Sequence, residues 1–155
     1  MTPAVNLLQK AKVPHQLHSY DHDPGAAAYG EEAADKLGVP HDRLFKTLVA
    51  LADSSRMVVA VVPVSTQLDL KRLARAVKAK KTKMADKKDV ERVTGYLLGG
   101  VSPLGQKKRL PTIVDASALN FKTIYVSAGR RGLQVELAPQ DLASLTAAGM
   151  SQITG

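Results

Sequence analysis

The sequence contains no cysteine, and this absence excludes several kinds of chemistry. The chain has no disulfide framework, no zinc or iron–sulfur site with cysteine ligands, and no cysteine nucleophile. Aromatic residues are also scarce, with four tyrosines, two phenylalanines and no tryptophan among 155 residues. Aromatic platforms on which single-stranded bases could stack are therefore few.

No apolar run approaches the roughly 18 residues that a membrane-spanning helix needs. The longest run, Met57–Val64, has the length of a β-strand and contains Pro63. The N-terminal residues show no basic region followed by an apolar run, so we expect no secretory signal. These observations predict a cytoplasmic protein without a membrane partner.

Basic residues outnumber acidic ones, since 22 Lys and Arg against 14 Asp and Glu give a formal net charge of +8. A surplus of this size favours a polyanionic partner such as nucleic acid. The alternative is a charged surface that only aids solubility. Hydrophobic residues make up 45% of the chain, and its length is that of one ordinary domain. We therefore predict a single domain over residues 1–155.

Hydrophobic periodicity predicts helices that alternate irregularly with strands. The predicted helices are Pro3–Lys12, Ala26–Leu37, a segment that starts near Asp69 and includes Val77, Lys87–Val93, and Pro139–Ala148. Thr2 and Asp86 are predicted N-caps of the first and fourth helices, while Gly38 and Gly149 are predicted to cap the second and the last. The predicted strands are His15–Tyr20, Leu44–Ala52, Met57–Val64, Thr112–Val114, Thr123–Ser127 and Leu133–Leu137. Because no regular strand–helix–strand repeat is present, we predict an α+β fold with a mixed, largely antiparallel sheet.

Basic residues form three clusters, within residues 71–88, 107–109 and 130–131. On the predicted third helix the apolar stripe faces inward, so its basic side chains project into solvent. The candidate contacts with nucleic acid are Lys71, Arg72, Arg75, Lys78, Lys80, Lys81, Lys107, Lys108 and Arg130. Since aromatic residues are few, we expect these contacts to be made with phosphates.

Lys46 stands out because it lies among apolar residues in a predicted strand. Alternation along the strand places it on the face that also carries Leu48 and Ala50. Two placements are compatible with this position. The ammonium group either reaches solvent at the rim of the sheet or points into a pocket, where it could bind a phosphate or polarise a carbonyl.

The segment Gly99–Pro103 combines two glycines with a proline. Glycines let a ligand approach the backbone closely, and proline stiffens the segment. Such a loop offers backbone N–H donors to a phosphate or a developing oxyanion, although many segments of this composition are ordinary turns. The four histidines show no spacing typical of metal ligands, and no Gly-x-Ser-x-Gly elbow is present. We therefore predict no metal site and no cofactor.

Seven segments resemble one family over nearly the whole chain. They are Thr2–Ala4, Tyr20–Pro24, Phe45–Leu48, Gln67–Lys71, Thr94–Lys108, Arg109–Ile113 and Ile124–Ser127. They are similar to the YbaK family of free-standing aminoacyl-tRNA deacylases, which resemble the editing domain of bacterial prolyl-tRNA synthetase. The resemblance implies a barrel-like sheet with surrounding helices. It also implies removal of cysteine wrongly attached to proline tRNA, with tRNA and prolyl-tRNA synthetase as partners, and Cys-tRNA(Cys) and other small aminoacyl-tRNAs as further substrates.

The resemblance also implies the residues of the site. Lys46, Gly99 and Gly100 would be catalytic. The substrate-binding residues would be Tyr20, Tyr29, Thr47, Val101, Ser102, Pro103 and Ser127, and the basic residues above would bind tRNA. At Gln134 the sequence departs from the acidic residue expected in relatives, and Glu136 shares its strand face.

No side chain in the sequence is a convincing nucleophile or general base. In the mechanism that the resemblance implies, the thiol of the cysteinyl substrate attacks its own ester carbonyl and releases free tRNA with a cyclic thioester. A thiol is partly ionised at neutral pH and a hydroxyl is not, so this chemistry would reject serine. The alternative is a non-catalytic module that binds tRNA or the synthetase on the same scaffold.

Overall fold

The computed structural model describes residues 1–26 and 28–155. Its helices are α1 (Pro3–Ala11), α2 (Tyr29–Leu37), α3 (Leu70–Ala76), α4 (Lys87–Thr94) and α5 (Pro139–Thr146), with a 3₁₀ helix at Ala116–Asn120. Its strands are β1 (Gln16–Ser19), β2 (Phe45–Ala52), β3 (Arg56–Pro63), β4 (Thr82–Met84), β5 (Thr112–Asp115), β6 (Ile124–Arg130), β7 (Leu133–Leu137) and β8 (Gly149–Ser151). The predicted interleaving of helices and strands is confirmed.

The strands form two sheets. In the smaller, β7 lies between β1 and β6, and both pairings are antiparallel. The larger has the order β4-β2-β3-β5-β8, antiparallel from β4 to β3 and parallel from β3 to β8. The predicted α+β fold with a mixed, largely antiparallel sheet is therefore confirmed, with its strands divided between two sheets.

The two sheets meet where the chain enters β2. Leu44 forms a parallel bridge with Tyr125 of β6. The Tyr125 amide donates a hydrogen bond of 3.1 Å to the carbonyl oxygen of Arg43. Lys46 and Ser127 lie two residues beyond this bridge, one on each sheet. The junction thus brings the start of β2 next to the middle of β6.

Alternation along the strands buries one face of each sheet in a shared core. Phe45 and Val49 of the larger sheet, and Val126 and Val135 of the smaller, belong to this cluster and are at most 2% exposed. The other face of the larger sheet packs against α3 through the fully buried Leu73. A third apolar cluster lies under α2, beside the sheet junction. These contacts hold α2 over the start of β2.

Several helix ends follow the predicted capping residues. The Thr2 hydroxyl accepts a hydrogen bond of 3.2 Å from an amide in the first turn of α1. Gly38 ends α2 with a φ of +69°. Asp69, near which the third helix was predicted to start, is the N-cap of α3, and its carboxylate accepts from two amides in the first turn. Asp86 occupies the N-cap of α4, but its side chain forms no capping hydrogen bond within the described residues.

Two predicted helices have an end that differs from the structure by two or more residues. α2 begins later than predicted because Ala28 still has an extended backbone, with φ −107° and ψ 92°. Ala27, which the prediction placed in this helix, lies outside the described residues. The prediction that Gly149 caps the last helix is wrong. α5 is capped by Ala147, and Gly149 starts β8, whose pairing with β5 draws this segment into the sheet.

Candidate active site

A cavity of about 300 Å³ opens where α2, the start of β2 and the loop after α4 come together. Its apolar walls include Leu44, Phe45, Leu48, Val64, Leu98 and Val101. Six of the predicted site residues line it, namely Tyr29, Lys46, Thr47, Gly99, Val101 and Ser127. The volume lies at the lower end of the range for ligand-binding clefts, so the cavity suits a small chemical group.

Lys46 reaches the cavity from β2, where it pairs with Val62 of β3. It is half-buried and forms no ion pair within the described residues. Of the two placements that the sequence left open, the structure shows the pocket. Gly30 lets α2 approach closely here, because a Cβ atom on it would lie 2.5 Å from Cγ1 of Val64. An unpaired ammonium group in such a position can bind a phosphate or polarise a carbonyl.

The Gly99–Gly100 backbone lies against the turn between β6 and β7. A Cβ atom at Gly99 would lie 2.5 Å from Nε of Arg131, and one at Gly100 would lie 2.7 Å from Cα of Arg130. Gly99 also has a φ of +87°, a conformation that other residues adopt rarely. Both glycines are therefore needed for the loop to sit this close to the turn.

Arg131 fastens this loop to α2, and it was not among the predicted site residues. Its Nε and Nη2 atoms donate to the carbonyl oxygen of Leu98 at 3.1 and 2.8 Å. Nη2 also donates to the hydroxyl of Tyr29 at 3.0 Å, and the guanidinium lies over that ring, 4.1 Å from its centroid. Arg131 thus fixes the spacing between two walls of the cavity. Its only signal in the sequence was the Arg130–Arg131 pair, which we interpreted as a basic cluster.

Two backbone amides at the cavity have no acceptor in the described part of the chain. Gly99 and Val101 both line the cavity, and neither N–H group donates a hydrogen bond there. The Gly100 amide instead donates to the carbonyl oxygen of Leu97 at 2.9 Å. The donors left for a ligand are therefore those of Gly99 and Val101, and the amide of Gly100 is already used.

Two buried side-chain atoms at the cavity also have no hydrogen-bond partner among the described residues. They are Oγ1 of Thr47 and Oε1 of Gln134. Gln134 is only 5% exposed, and β7 pairs it with Ser127 of β6. A buried polar atom without a partner costs about 1–3 kcal/mol. A ligand that supplies the missing partners would recover this free energy.

Glu136, on the same strand face as Gln134, is engaged in a separate network. It accepts a hydrogen bond of 2.6 Å from the Thr123 hydroxyl. Its carboxylate also lies 2.9 Å from Nε2 of His18 and 3.3 Å from Nη2 of Arg43. The hydrogen bond from Thr123 lowers the pKa of Glu136, against the opposing effect of burial. Glu136 supports the sheet junction and does not line the cavity.

The cavity holds hydroxyl groups, but its described lining shows no nucleophile paired with a base. The Ser127 hydroxyl accepts from the Gly129 amide at 3.2 Å. The Tyr29 hydroxyl accepts from Arg131. Glu31 is exposed, and no hydrogen bond joins it to either hydroxyl. A side-chain nucleophile needs an adjacent base to be activated, so the lining itself provides none.

Four other predicted site residues lie outside this lining. Tyr20 packs against the apolar cluster under α2, and Gly100 lines a neighbouring cavity. Ser102 is fully buried, and its hydroxyl oxygen accepts from the amide of Leu104 at 3.2 Å. Pro103 lines a separate cavity near α5. Ser102 and Pro103 therefore help to shape the loop.

Most of the basic residues predicted to bind tRNA are exposed around α3 and β4. They are Lys71, Arg75, Lys78, Lys80 and Lys81. The amides of Lys80 and Lys81 bind the Asp53 carboxylate, which follows the end of β2. Lys46 lies near the start of β2, so at about 3.3 Å per residue Asp53 and the two amides bound to it lie roughly 20 Å from Lys46 along the strand. Their contact with tRNA stays a prediction.

The remaining predicted tRNA contacts differ in their surroundings. Arg72 is half-buried and donates to the carbonyl oxygen of Thr154 at 2.9 Å, so it ties α3 to the C-terminal segment. Lys107 and Lys108 are exposed, and their amides bind back to the end of α4. Arg130 is exposed next to the Gly99–Gly100 loop. Of these four, Arg130 lies nearest in structure to the candidate site.

The described residues contain neither a cluster of metal-ligating side chains nor a membrane-spanning helix. No group of three or more His, Asp or Glu residues among them could hold a metal ion. No helix in the same residues has the length and apolar character to cross a membrane. The polar groups that the cavity offers are an ammonium group, backbone amides and neutral side chains, with Glu31 at its edge.

A family model described as the aminoacyl-tRNA editing domain matches residues 23–145. The chain belongs to this family. Membership confirms both the resemblance found in the sequence and the predicted enzyme class, an aminoacyl-tRNA deacylase.

Individual relatives agree with this assignment. The chain is 41% identical over 153 residues to an Enterococcus faecalis protein named "Putative Cys-tRNA(Pro)/Cys-tRNA(Cys) deacylase EbsC", covering 99% of this chain and 93% of that one. It is 28% identical over 111 residues to the proline–tRNA ligase of Lactobacillus helveticus, covering 72% of this chain but 20% of the ligase. A crystal structure of "a putative trans-editing enzyme for prolyl tRNA synthetase" superposes with a TM-score of 0.80 at 22% identity, covering 100% of this chain and 99% of that one. At that identity the structural likeness shows the fold alone.

Proposed function

We propose that this protein removes cysteine from mischarged tRNA, above all from Cys-tRNA(Pro) and also from Cys-tRNA(Cys). The observation that carries the proposal is the small cavity where Lys46 meets the free amides of Gly99 and Val101 without a nucleophile–base pair. Such a cavity can position an ester and stabilise its reaction, but it needs a nucleophile from elsewhere. The name of the 41% identical Enterococcus faecalis relative supports the same substrate class.

Each polar group of the cavity has a role in this proposal. Lys46 donates a hydrogen bond from its unpaired ammonium group to a ribose oxygen of the terminal adenosine. The amides of Gly99 and Val101 donate to the ester oxygen as it gains negative charge. The Gln134 Oε1 atom accepts a hydrogen bond from the α-ammonium group of the amino acid, which gives this buried atom the partner it lacks in the free protein.

The nucleophile is the thiol of the substrate. Its thiolate attacks the carbonyl carbon of its own ester, so that a carbon–sulfur bond forms while the bond from that carbon to the ribose oxygen breaks. The ribose oxygen takes up a proton, free tRNA leaves, and water later opens the cyclic thioester. Correct positioning of such an intramolecular attack lowers the barrier by up to about 7–11 kcal/mol, from which ring strain subtracts.

The cavity and the chemistry act as two successive filters. Cysteine and proline are close in size. A small apolar pocket distinguishes such amino acids by only about 1–3 kcal/mol of binding free energy, so the synthetase needs a second site that removes the wrong one. Serine fits the same space, but its hydroxyl is not ionised at neutral pH and cannot attack. We propose prolyl-tRNA synthetase as the partner that supplies tRNA selectivity. The match to a segment of a proline–tRNA ligase supports this pairing.

The test is deacylation of tRNA(Pro) charged with cysteine, serine, alanine or proline, with and without prolyl-tRNA synthetase. Rapid loss of cysteine, with serine and alanine retained, is the expected result. Loss of alanine or serine at a comparable rate would contradict thiol assistance and would indicate attack by water. No loss of any amino acid, together with saturable tRNA binding, would indicate a binding module instead of an enzyme.

A further inference from the structure

A second cavity, of about 610 Å³, adjoins the active-site cavity at the Gly99–Gly100 loop. Leu98 lines both cavities, while Gly99 lines only the first and Gly100 only the second. The second cavity lies between α4, this loop and the end of β6, with Pro3 of α1 also in its lining. Its volume is within the range of ligand-binding clefts, and no step of the proposed reaction uses it.

The charges at the second cavity favour an anion. Lys87 and Arg130 line it, are exposed, and form no ion pair within the described residues. Arg131 also lines it, but its guanidinium is engaged with the loop and with α2. The carboxylate in the lining is that of Glu91, whose Oε2 atom accepts from the Leu98 amide at 3.2 Å. Two cations thus remain for a ligand.

The cavity also has an exposed apolar edge. Leu97 is 74% exposed and Leu98 is 41% exposed, and both line the cavity. Large apolar side chains exposed together indicate a binding surface. Apolar side chains, like aromatic ones, can pack against the face of an unstacked nucleic-acid base. Two cations beside an apolar edge match the phosphate and the base of a nucleotide.

We propose that this cavity binds the phosphodiester and the base of the nucleotide that precedes the terminal adenosine of tRNA. This inference rests on the proposed function, which places the aminoacylated adenosine at the first cavity. One phosphodiester joins the two nucleotides, and the two cavities adjoin at Leu98 and the Gly99–Gly100 backbone. Lys87 and Arg130 bind the phosphate, and Leu97 and Leu98 contact the base.

The test compares two unacylated probes, adenosine and the dinucleotide cytidylyl-(3′→5′)-adenosine, by NMR titration of the isotope-labelled protein. The dinucleotide adds one phosphodiester and one cytidine, whose phosphate and base are the groups assigned to the second cavity. We expect it to bind about tenfold more tightly than adenosine, as two charge-assisted contacts would allow. It should also shift the amide signals of residues 95–100 and 129–131, which adenosine alone should affect less.

The Lys87→Ala/Arg130→Ala variant should bind the dinucleotide no better than adenosine. The control is Lys88→Ala/Lys122→Ala, which removes the same two charges from exposed residues outside the cavity lining and should keep the wild-type difference. Equal affinity of the wild-type protein for the two probes, including no detectable binding of either, would overturn the proposal. So would a variant that keeps the tenfold difference.

A kinetic measurement separates this inference from the proposed function. The Lys87→Ala/Arg130→Ala variant should raise KM for Cys-tRNA(Pro) about tenfold and leave hydrolysis of 3′-cysteinyl-adenosine unchanged. Equal losses on both substrates would place the two residues in the active-site cavity and overturn the inference. If the wild-type protein hydrolyses neither substrate, the proposed function fails, and the dinucleotide titration still decides the second cavity.

Discussion

Gln134 allows a prediction in which stability and activity move in opposite directions. Its Oε1 atom is buried at the cavity without a hydrogen-bond partner among the described residues, and the side chain is 5% exposed. In the free protein this atom carries a desolvation cost of about 1–3 kcal/mol. In the complex, we propose, it accepts a hydrogen bond from the substrate's α-ammonium group.

Gln134→Met keeps the length and volume of the side chain but removes the acceptor. We expect the free energy of unfolding to rise by about 1 kcal/mol, since the unpaired atom is gone. For a chain of this size, such a change raises Tm by about 2–4 °C. Loss of a hydrogen bond to a charged group, about 1.5–3 kcal/mol, should lower kcat/KM for Cys-tRNA(Pro) about 10- to 100-fold.

Urea unfolding and single-turnover deacylation measure the two effects on the same preparation. The matched control is Gln106→Met, because the Gln106 amide donates a hydrogen bond of 3.0 Å to the Ser102 carbonyl oxygen. This control removes a satisfied hydrogen bond outside the cavity lining and should lose stability. A Gln134→Met protein that is destabilised like the control, with unchanged kcat/KM, would refute the reasoning.

Three further variants test other parts of the structure. Arg131→Ala releases the Gly99–Gly100 loop from α2, so KM for aminoacyl-tRNA should rise about tenfold in steady-state assays. An unchanged KM would contradict the positioning role of Arg131. Gly100→Ala places a Cβ atom 2.7 Å from the Cα atom of Arg130. Calorimetry should therefore show that the free energy of unfolding falls by about 1–3 kcal/mol. An unchanged Tm would contradict the close packing. Because folding lowers the pKa of Glu136, its stabilising effect is present above its unfolded pKa near 4.5 and is lost as pH falls through the folded value. Urea unfolding should therefore show Glu136→Gln less stable than wild type at neutral pH, with a difference that shrinks in acid; a pH-independent difference would contradict this.

The order of the helices and the long strands could be predicted because local signals determine it. α1 has a threonine cap, a proline in its first turn and a regular apolar stripe, and the structure shows it at nearly the predicted bounds. β2 and β3 are apolar runs of strand length joined by a polar turn, and they pair over their full length. In both cases the residues of the segment itself determine whether it forms a helix or a strand and where it ends.

The short strands β4 and β8 could not be predicted in this way. Each has three residues, too few to show periodicity, and each forms because a neighbouring strand offers free hydrogen-bonding groups. The error at Gly149 has the same origin. Glycine is the usual residue after a helix, but pairing with β5 places it in the sheet, and Ala147 takes the left-handed conformation instead.

The candidate site was predictable in part. Lys46 and the Gly99–Pro103 loop are unusual within their own segments, so the sequence indicated them. Arg131 was missed because its role depends on Tyr29 and Leu98, which are distant in the sequence and meet only in the folded chain. The choice between rim and pocket for Lys46 likewise depends on the junction of the two sheets, which no local pattern contains.

The most direct test of the central claim is the rate at which Lys46→Ala removes cysteine from Cys-tRNA(Pro), measured in a single turnover at saturating enzyme. We expect a loss of about 10- to 100-fold or more, because a charged contact to the substrate is removed. Circular dichroism and Tm should match the wild-type values, and Lys122→Ala, which changes an exposed lysine outside the cavity lining, should keep the full rate. A folded Lys46→Ala protein that deacylates at the wild-type rate would contradict the account.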